Sequence, residues 1–163
     1  MSHRYTSVAL SLLLLFGLLS GCGEKENPAE SGEFGEISGT VTLVGTWPET
    51  GDVQVSAWTT LRDGQPYMVP GAKTEPLDAP DGGTVDYALI GVSKGTYLAV
   101  TLGWRDPANP MGGKVLGVHW AKADSVGVDS QGKIAVTPSP IEVSAAKMVW
   151  TDIDMKANLD IAP

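Results

Sequence analysis

Side chains able to do nucleophilic, acid–base or metal chemistry are few in this 163-residue sequence. It has two His, and His3 belongs to a basic N-terminal start, so His119 is the only imidazole left in the body of the chain. A Ser-His-Asp arrangement would have to use it. Yet His119 sits in Val118-His119-Trp120, inside a stretch of strand character, and no Gly-x-Ser-x-Gly elbow occurs anywhere. Zinc held by two or three His is impossible on this count, and the His-Glu-x-x-His pattern is missing. The single Cys22 excludes an intrachain disulfide and a Cys-rich zinc site. No glycine-rich phosphate loop opens onto a helix. The sequence therefore assigns no catalytic residue, no metal site and no cofactor.

Carboxylates are the remaining chemical resource, with 14 beyond Glu36. Asp152 and Asp154 share one face of a strand with Asp160 further along, and Asp124 and Asp129 flank a turn. Paired carboxyls about 5–10 Å apart in a cleft would suit a hydrolase. Calcium also favours clustered oxygens, but no Asp-x-Asp-x-Asp-Gly loop is present. A solvated strand face accounts for the same residues, and acids on an outer strand discourage edge-to-edge pairing.

Aromatics give a binding alternative. Trp58, Trp104, Trp120 and Trp150 fall near strand ends or opposite small apolar residues, together with Tyr67, Tyr87 and Tyr97. Such rings either fill a core short of Leu or form a platform for sugar rings or a protein partner. The segment from Trp104 to Gly113 is the candidate binding loop. Trp104, Arg105, Asp106 and Asn109 combine a ring, both charge signs and an amide at the end of a strand, where binding loops tend to sit.

The elements that must carry these residues divide into three parts. Residues 1–21 read as a secretory signal: His3 and Arg4 precede a 12-residue apolar run from Val8 to Leu19. That run is too short for a membrane-spanning helix. Leu19-Ser20-Gly21-Cys22 resembles the lipobox of bacterial lipoproteins. The resemblance implies cleavage between Gly21 and Cys22, with Cys22 acylated as a membrane anchor; a plain secretory signal is the alternative. Each buried methylene contributes about 0.8 kcal/mol, so several acyl chains hold far better than one. Residues 22–36 form a tether whose part from Gly23 onward has five Glu, one Lys and almost nothing apolar. The expected address is the bacterial cell envelope, with the outer membrane favoured.

Residues 37–163 are the folded domain. Beyond the signal the chain has 15 Val, 6 Ile and 12 Thr against 8 Leu, with all 11 Pro. Branching at Cβ favours strands, and short apolar segments separated by Pro and Gly predict an all-β domain. Strands are predicted at 37–44, 53–60, 84–92, 96–104, 114–121 and 141–144. A short edge strand is predicted near Tyr67-Met68-Val69, and a turn at Asp129-Ser130-Gln131-Gly132. The segments 84–92 and 96–104 are expected to form a hairpin about Ser93-Lys94-Gly95. The last strand alternates from Val149 to Ile161, one face apolar and one wet, as in antiparallel sheets. Seven or eight such strands call for two sheets packed face to face.

Ile37-Ser38-Gly39-Thr40-Val41-Thr42, Val53-Gln54-Val55-Ser56-Ala57 and the stretch from Tyr87 to Tyr97 resemble carboxypeptidase-regulatory-like domains. That resemblance covers residues 37–104 and implies an antiparallel Greek-key sandwich of the transthyretin-like kind, related in shape to Cna-B modules. It says little about function, because such sandwiches host many roles. The net charge of −8 argues against nucleic acid as a partner. The expectation is a lipid-anchored, non-enzymatic binding or accessory module, with an envelope protein or a glycan as partner. A carbohydrate-binding lipoprotein is the alternative, and a carboxylate-based hydrolase stands behind both.

Overall fold

The computed structural model describes residues 34–109 and 112–163. The signal, Gly21, Cys22 and the tether up to residue 33 lie outside the described residues. The chain is all-β. Its strands are β1 (Phe34–Val44), β2 (Asp52–Trp58), β3 (Leu61–Arg62), β4 (Gln65–Pro66), β5 (Ala72–Lys73) and β6 (Thr84–Ser93). They continue as β7 (Gly95–Tyr97), β8 (Ala99–Arg105), β9 (Lys114–Val118), β10 (Ile141–Val143), β11 (Val149–Trp150) and β12 (Met155–Asn158), before a 3₁₀ turn over Leu159–Ile161. The strand begins at Phe34, so Phe34, Gly35 and Glu36 belong to β1 rather than to the tether.

One sheet organises the molecule. It runs β6-β1-β12-β9-β8-β2-β5, with β11 beside the N-terminal part of β1. The terminal strands β5 and β6 come into contact, so the sheet curls around its own inner face. Ile37 and Val41 of β1, Val53 and Val55 of β2, Leu89 of β6, Val100 and Leu102 of β8, Leu116 of β9 and Met155 of β12 meet there in one core. Two-stranded sheets β10–β7 and β3–β4 complete the architecture.

The pairing differs from a purely antiparallel sandwich in two ways. First, β6 and β8 do not form a hairpin. β6 pairs along its length with β1, from Phe34↔Ser93 to Thr42↔Thr84, while β8 pairs with β2 and β9. The burial patterns give the reason. Ala99, Val100, Thr101 and Leu102 are buried in succession, so β8 is covered on both faces. In β6 only Tyr87, Leu89 and Val92 are buried, and Asp86, Ala88 and Ile90 are exposed. β2, buried at Val53, Val55, Ser56 and Ala57, is the matching neighbour for β8. The link through β7 instead carries Tyr97 into the core and pairs with β10.

Second, β11 and β12 run parallel to β1. The single last strand expected from 149 to 161 is broken at Asp152, whose φ of 60° is left-handed, a conformation Asp tolerates better than most residues. Side-chain and backbone bonds take over the ladder across the break. Ile153 N donates to Ser38 O (3.1 Å), Thr40 N donates to Asp154 Oδ1 (2.9 Å), and the Tyr87 hydroxyl donates to Ile153 O (2.7 Å). Ile153, Met155, Ala157 and Leu159 are buried as the alternation requires, but Val149 and Thr151 before the break are exposed. Trp150, expected on the wet face, packs against the core.

A second apolar cluster covers the outer face of β8 and β9. Ala99, Val118 and Ile134 are buried there, with Trp58, Leu61, Val115, Trp120, Val128 and Val136 packed against them. The segment 126–136 folds about the expected turn, with Val128 bridging Ile134. The β3–β4 hairpin is held to it by Gln65, whose amide nitrogen donates to Ile134 O (3.0 Å) and whose amide oxygen accepts from Ile134 N (2.8 Å). Tyr67-Met68-Val69 forms no strand. Met68 has a left-handed φ of 64°, and all three side chains are exposed.

Candidate functional site

The outward-facing positions of β2 and β8 alternate with the core positions and build a floor. Register pairs Trp58 with Ala99, Ser56 with Thr101, Gln54 with Gly103 and Asp52 with Arg105. Over that floor lies a groove of about 510 Å³. Gln54, Ser56, Trp58, Thr101, Gly103 and Arg105 line its bottom, with Val115 of β9 beside them. Gln65, Pro66, Tyr67 and Met68 of the β3–β4 region form one wall. Lys114, Gly132 and Lys133 form the other. Its size is within the range of small-ligand sites.

Several polar groups of the groove are already committed. Trp58 Nε1 donates to Thr101 Oγ1 (2.9 Å), which fixes the indole against the floor. Gln65 is engaged with Ile134, and Lys114 Nζ donates to Gln131 O (3.0 Å). Tyr67 stands at the rim, 39 % exposed, with the Arg62 guanidinium 5.3 Å from its ring centroid. Arg105 Nε is enclosed and has no hydrogen-bond partner.

The four candidate loop residues separate. Trp104 and Arg105 line the groove, but Trp104 is only 6 % exposed and packs in the core. Its Nε1 donates to Thr50 O (2.7 Å), and Gly51, with φ of 84°, lies so close to the indole that a Cβ there would clash with it. Asp106 and Asn109 lie outside the lining. Asp106 Oδ1 accepts from Ala108 N (2.8 Å), and Asp106 O accepts from Asn109 N (3.2 Å), so both shape the connection. Of the other rings, Trp120 donates to Ser125 O and Trp150 to Glu142 O, each 3.0 Å. Lys147 Nζ covers the Trp150 ring at 3.3 Å. Trp58 and Tyr67 therefore line one groove from its floor and its rim.

Of the five acids considered for chemistry, Asp129, Asp154 and Asp160 hold backbone instead, and Asp152 accepts from the Thr151 hydroxyl (3.1 Å). Asp154 accepts from Thr40 N, and Asp160 accepts from Thr46 N (3.0 Å). Asp129 Oδ1 accepts from Lys133 N and Gln131 N, both 2.9 Å. The Lys133 N–H above all keeps this carboxyl below its ordinary value against an opposing desolvation, helped by the Gln131 N–H and the charges of Lys133 and Lys114. His119 Nδ1 lies 2.8 Å from Asp154 O; a carbonyl only accepts, so Nδ1 carries the proton. Among the described residues no three His, Cys, Asp or Glu side chains gather in one place.

Sequence reasoning did not single out Gln54, Ser56, Gln65, Met68, Lys114 or Lys133. The alternation of Val53, Val55 and Ala57 already implied that 54, 56 and 58 face outward. Nothing local implied that residues 65–68 and 132–133 would fold over them. Compared with known proteins, the chain matches no protein-family model, no curated protein and no solved structure.

Proposed function

We propose that this protein is a non-enzymatic binding module of the bacterial cell envelope, anchored through lipidated Cys22, and that its groove binds a saccharide. The observation that carries the binding reading is the groove itself, with Trp58 in its floor beside Gln54 and Ser56 and Tyr67 at its rim. Rings of this kind offer apolar faces to sugar rings, while side-chain amides and charges fix orientation. Asp129, Asp154 and Asp160, three of the five acids expected to serve a hydrolase, are engaged with backbone N–H groups, which supports the non-enzymatic reading. The lipobox-like Leu19-Ser20-Gly21-Cys22 and the acidic tether support the address. The likeness of residues 37–104 to carboxypeptidase-regulatory-like Greek-key sandwiches belongs to the same proposal. Its support is that the inner faces of β1, β6 and β12 meet those of β2, β8 and β9 across one core.

The test is a glycan array probed with the full-length protein in a non-glycosidic detergent, followed by titration of the hits against the Tyr67→Ala variant. Tyr67 is exposed and outside both apolar clusters, so its truncation leaves the core intact. At least one saccharide is expected to bind, with affinity falling about tenfold in the variant. An array without hits, or hits indifferent to Tyr67, would overturn the saccharide reading.

A further inference from the structure

The charge of the groove opposes the charge of the domain. From Ile37 onward the chain has nine Lys and Arg against 14 Asp and Glu, a balance of −5. Yet every charged residue lining the groove is a cation: Arg105, Lys114 and Lys133. They come from β8, β9 and the turn after Asp129, so the tertiary structure gathers them. Two carboxylates stand near without lining it. Asp52 is the register partner of Arg105, and Asp129 has an oxygen already accepting two backbone N–H groups. Lys114 gives one bond to Gln131 O and retains donors, Lys133 is exposed, and Arg105 has an unsatisfied Nε. A guanidinium and two ammonium groups lining one groove are a setting in which a carboxylate gains charge-assisted bonds.

We infer that the ligand of this groove is an acidic saccharide, a chain bearing carboxylates of the uronic-acid kind. This rests on the saccharide reading of the same groove. An acidic peptide fits the site less well. Extended peptides gain affinity by adding main-chain bonds at a sheet edge. The floor here is the face of β2 and β8, each paired on both sides, so its main-chain groups are spent within the sheet. Recognition must come from side chains: Trp58 and Tyr67 for ring faces, Gln54 for hydroxyls, and the three cations for carboxylates.

The experiment is calorimetric titration of the full-length protein with a short oligogalacturonate and with its methyl-esterified, uncharged form. The two share the same sugar backbone and differ in charge. The acid form is expected to bind about tenfold or more tightly than the ester, and to weaken as salt rises. Arg105→Gln and the exposed-site variant Lys133→Gln are each expected to shrink that preference toward unity, with unchanged thermal unfolding of Lys133→Gln showing an intact fold. Equal binding of acid and ester overturns the inference. So does failure of the acid form while a neutral saccharide binds in a Tyr67-dependent manner, an outcome that leaves the saccharide reading standing. Competition by polyglutamate as effective as that of oligogalacturonate also overturns it, in favour of an acidic peptide. Absence of binding to any saccharide removes both readings together.

Discussion

Tyr87 shows how single residues hold this fold. Its hydroxyl is buried and donates to Ile153 O at the point where the chain breaks between β11 and β12. Burial first, and the charge of Asp154 second, raise this hydroxyl above its ordinary value of 10.0. Burial also raises Tyr97, which donates to Ser93 O (3.0 Å). The folded state thus keeps protons that the unfolded chain releases above pH 10. The contribution is complete below 10.0 and is lost as pH rises above it. Tyr87→Phe should cost about 1–2 kcal/mol near neutral pH by leaving Ile153 O without its donor. It should also flatten the alkaline fall in stability, measured as the urea midpoint against pH. Equal alkaline slopes in the variant and the parent protein would refute this account.

At the scale of elements, the parallel seating of β12 beside β1 depends on close backbone approach. Gly39 of β1 lies under the connection before β12, where a Cβ would stand 2.5 Å from Ile153 O and 2.6 Å from Ile153 C. The opposing atoms are backbone and cannot rotate away. Gly39→Ala should therefore cost about 1–3 kcal/mol through overpacking, read from denaturant unfolding. A smaller cost would mean that the Thr151–Asp154 break moves freely. The strand set was largely legible from the alternation of Ile37 to Val44, Val53 to Ala57 and Thr84 to Val92. The partners were not. Ser93-Lys94-Gly95 carries a turn signal, and a local hairpin is the simplest use of it. Only the burial of β8 on both faces decides that it sits between β2 and β9. The broken last strand was equally hidden, since Asp152 in a left-handed conformation looks the same in sequence as Asp152 in a strand.

The whole molecule joins three segments with different chemistry. Its net charge of −8 is the sum of a weakly basic segment 1–21, an acidic segment 22–36 and −5 from Ile37 onward. If Cys22 is the anchor, Cys22→Ser should move the protein from the membrane fraction to the soluble fraction on fractionation, with the groove unaffected. Retention in the membrane fraction would sink the lipoprotein reading. Of the four candidate site residues, Trp104 and Arg105 line the groove, because the β8 strand that ends there runs beneath it. Asp106 and Asn109 shape the connection instead. Lys114 and Lys133 escaped notice because each, taken alone, is an ordinary surface cation.

The sequence alone determined the class of structure and the order of the segments. Cβ-branched residues, two-residue alternation and closely spaced Pro and Gly act within a few residues, so an all-β domain after an acidic stretch follows without tertiary information. Tertiary structure decided which strands pair, in which direction, and what covers the outer face of β2 and β8. Those choices depend on burial shared between segments far apart in the chain. The groove is one product of them, and its positive lining within an acidic domain is another: Arg105, Lys114 and Lys133 become a single feature only when 65–68 and 126–136 close over the sheet.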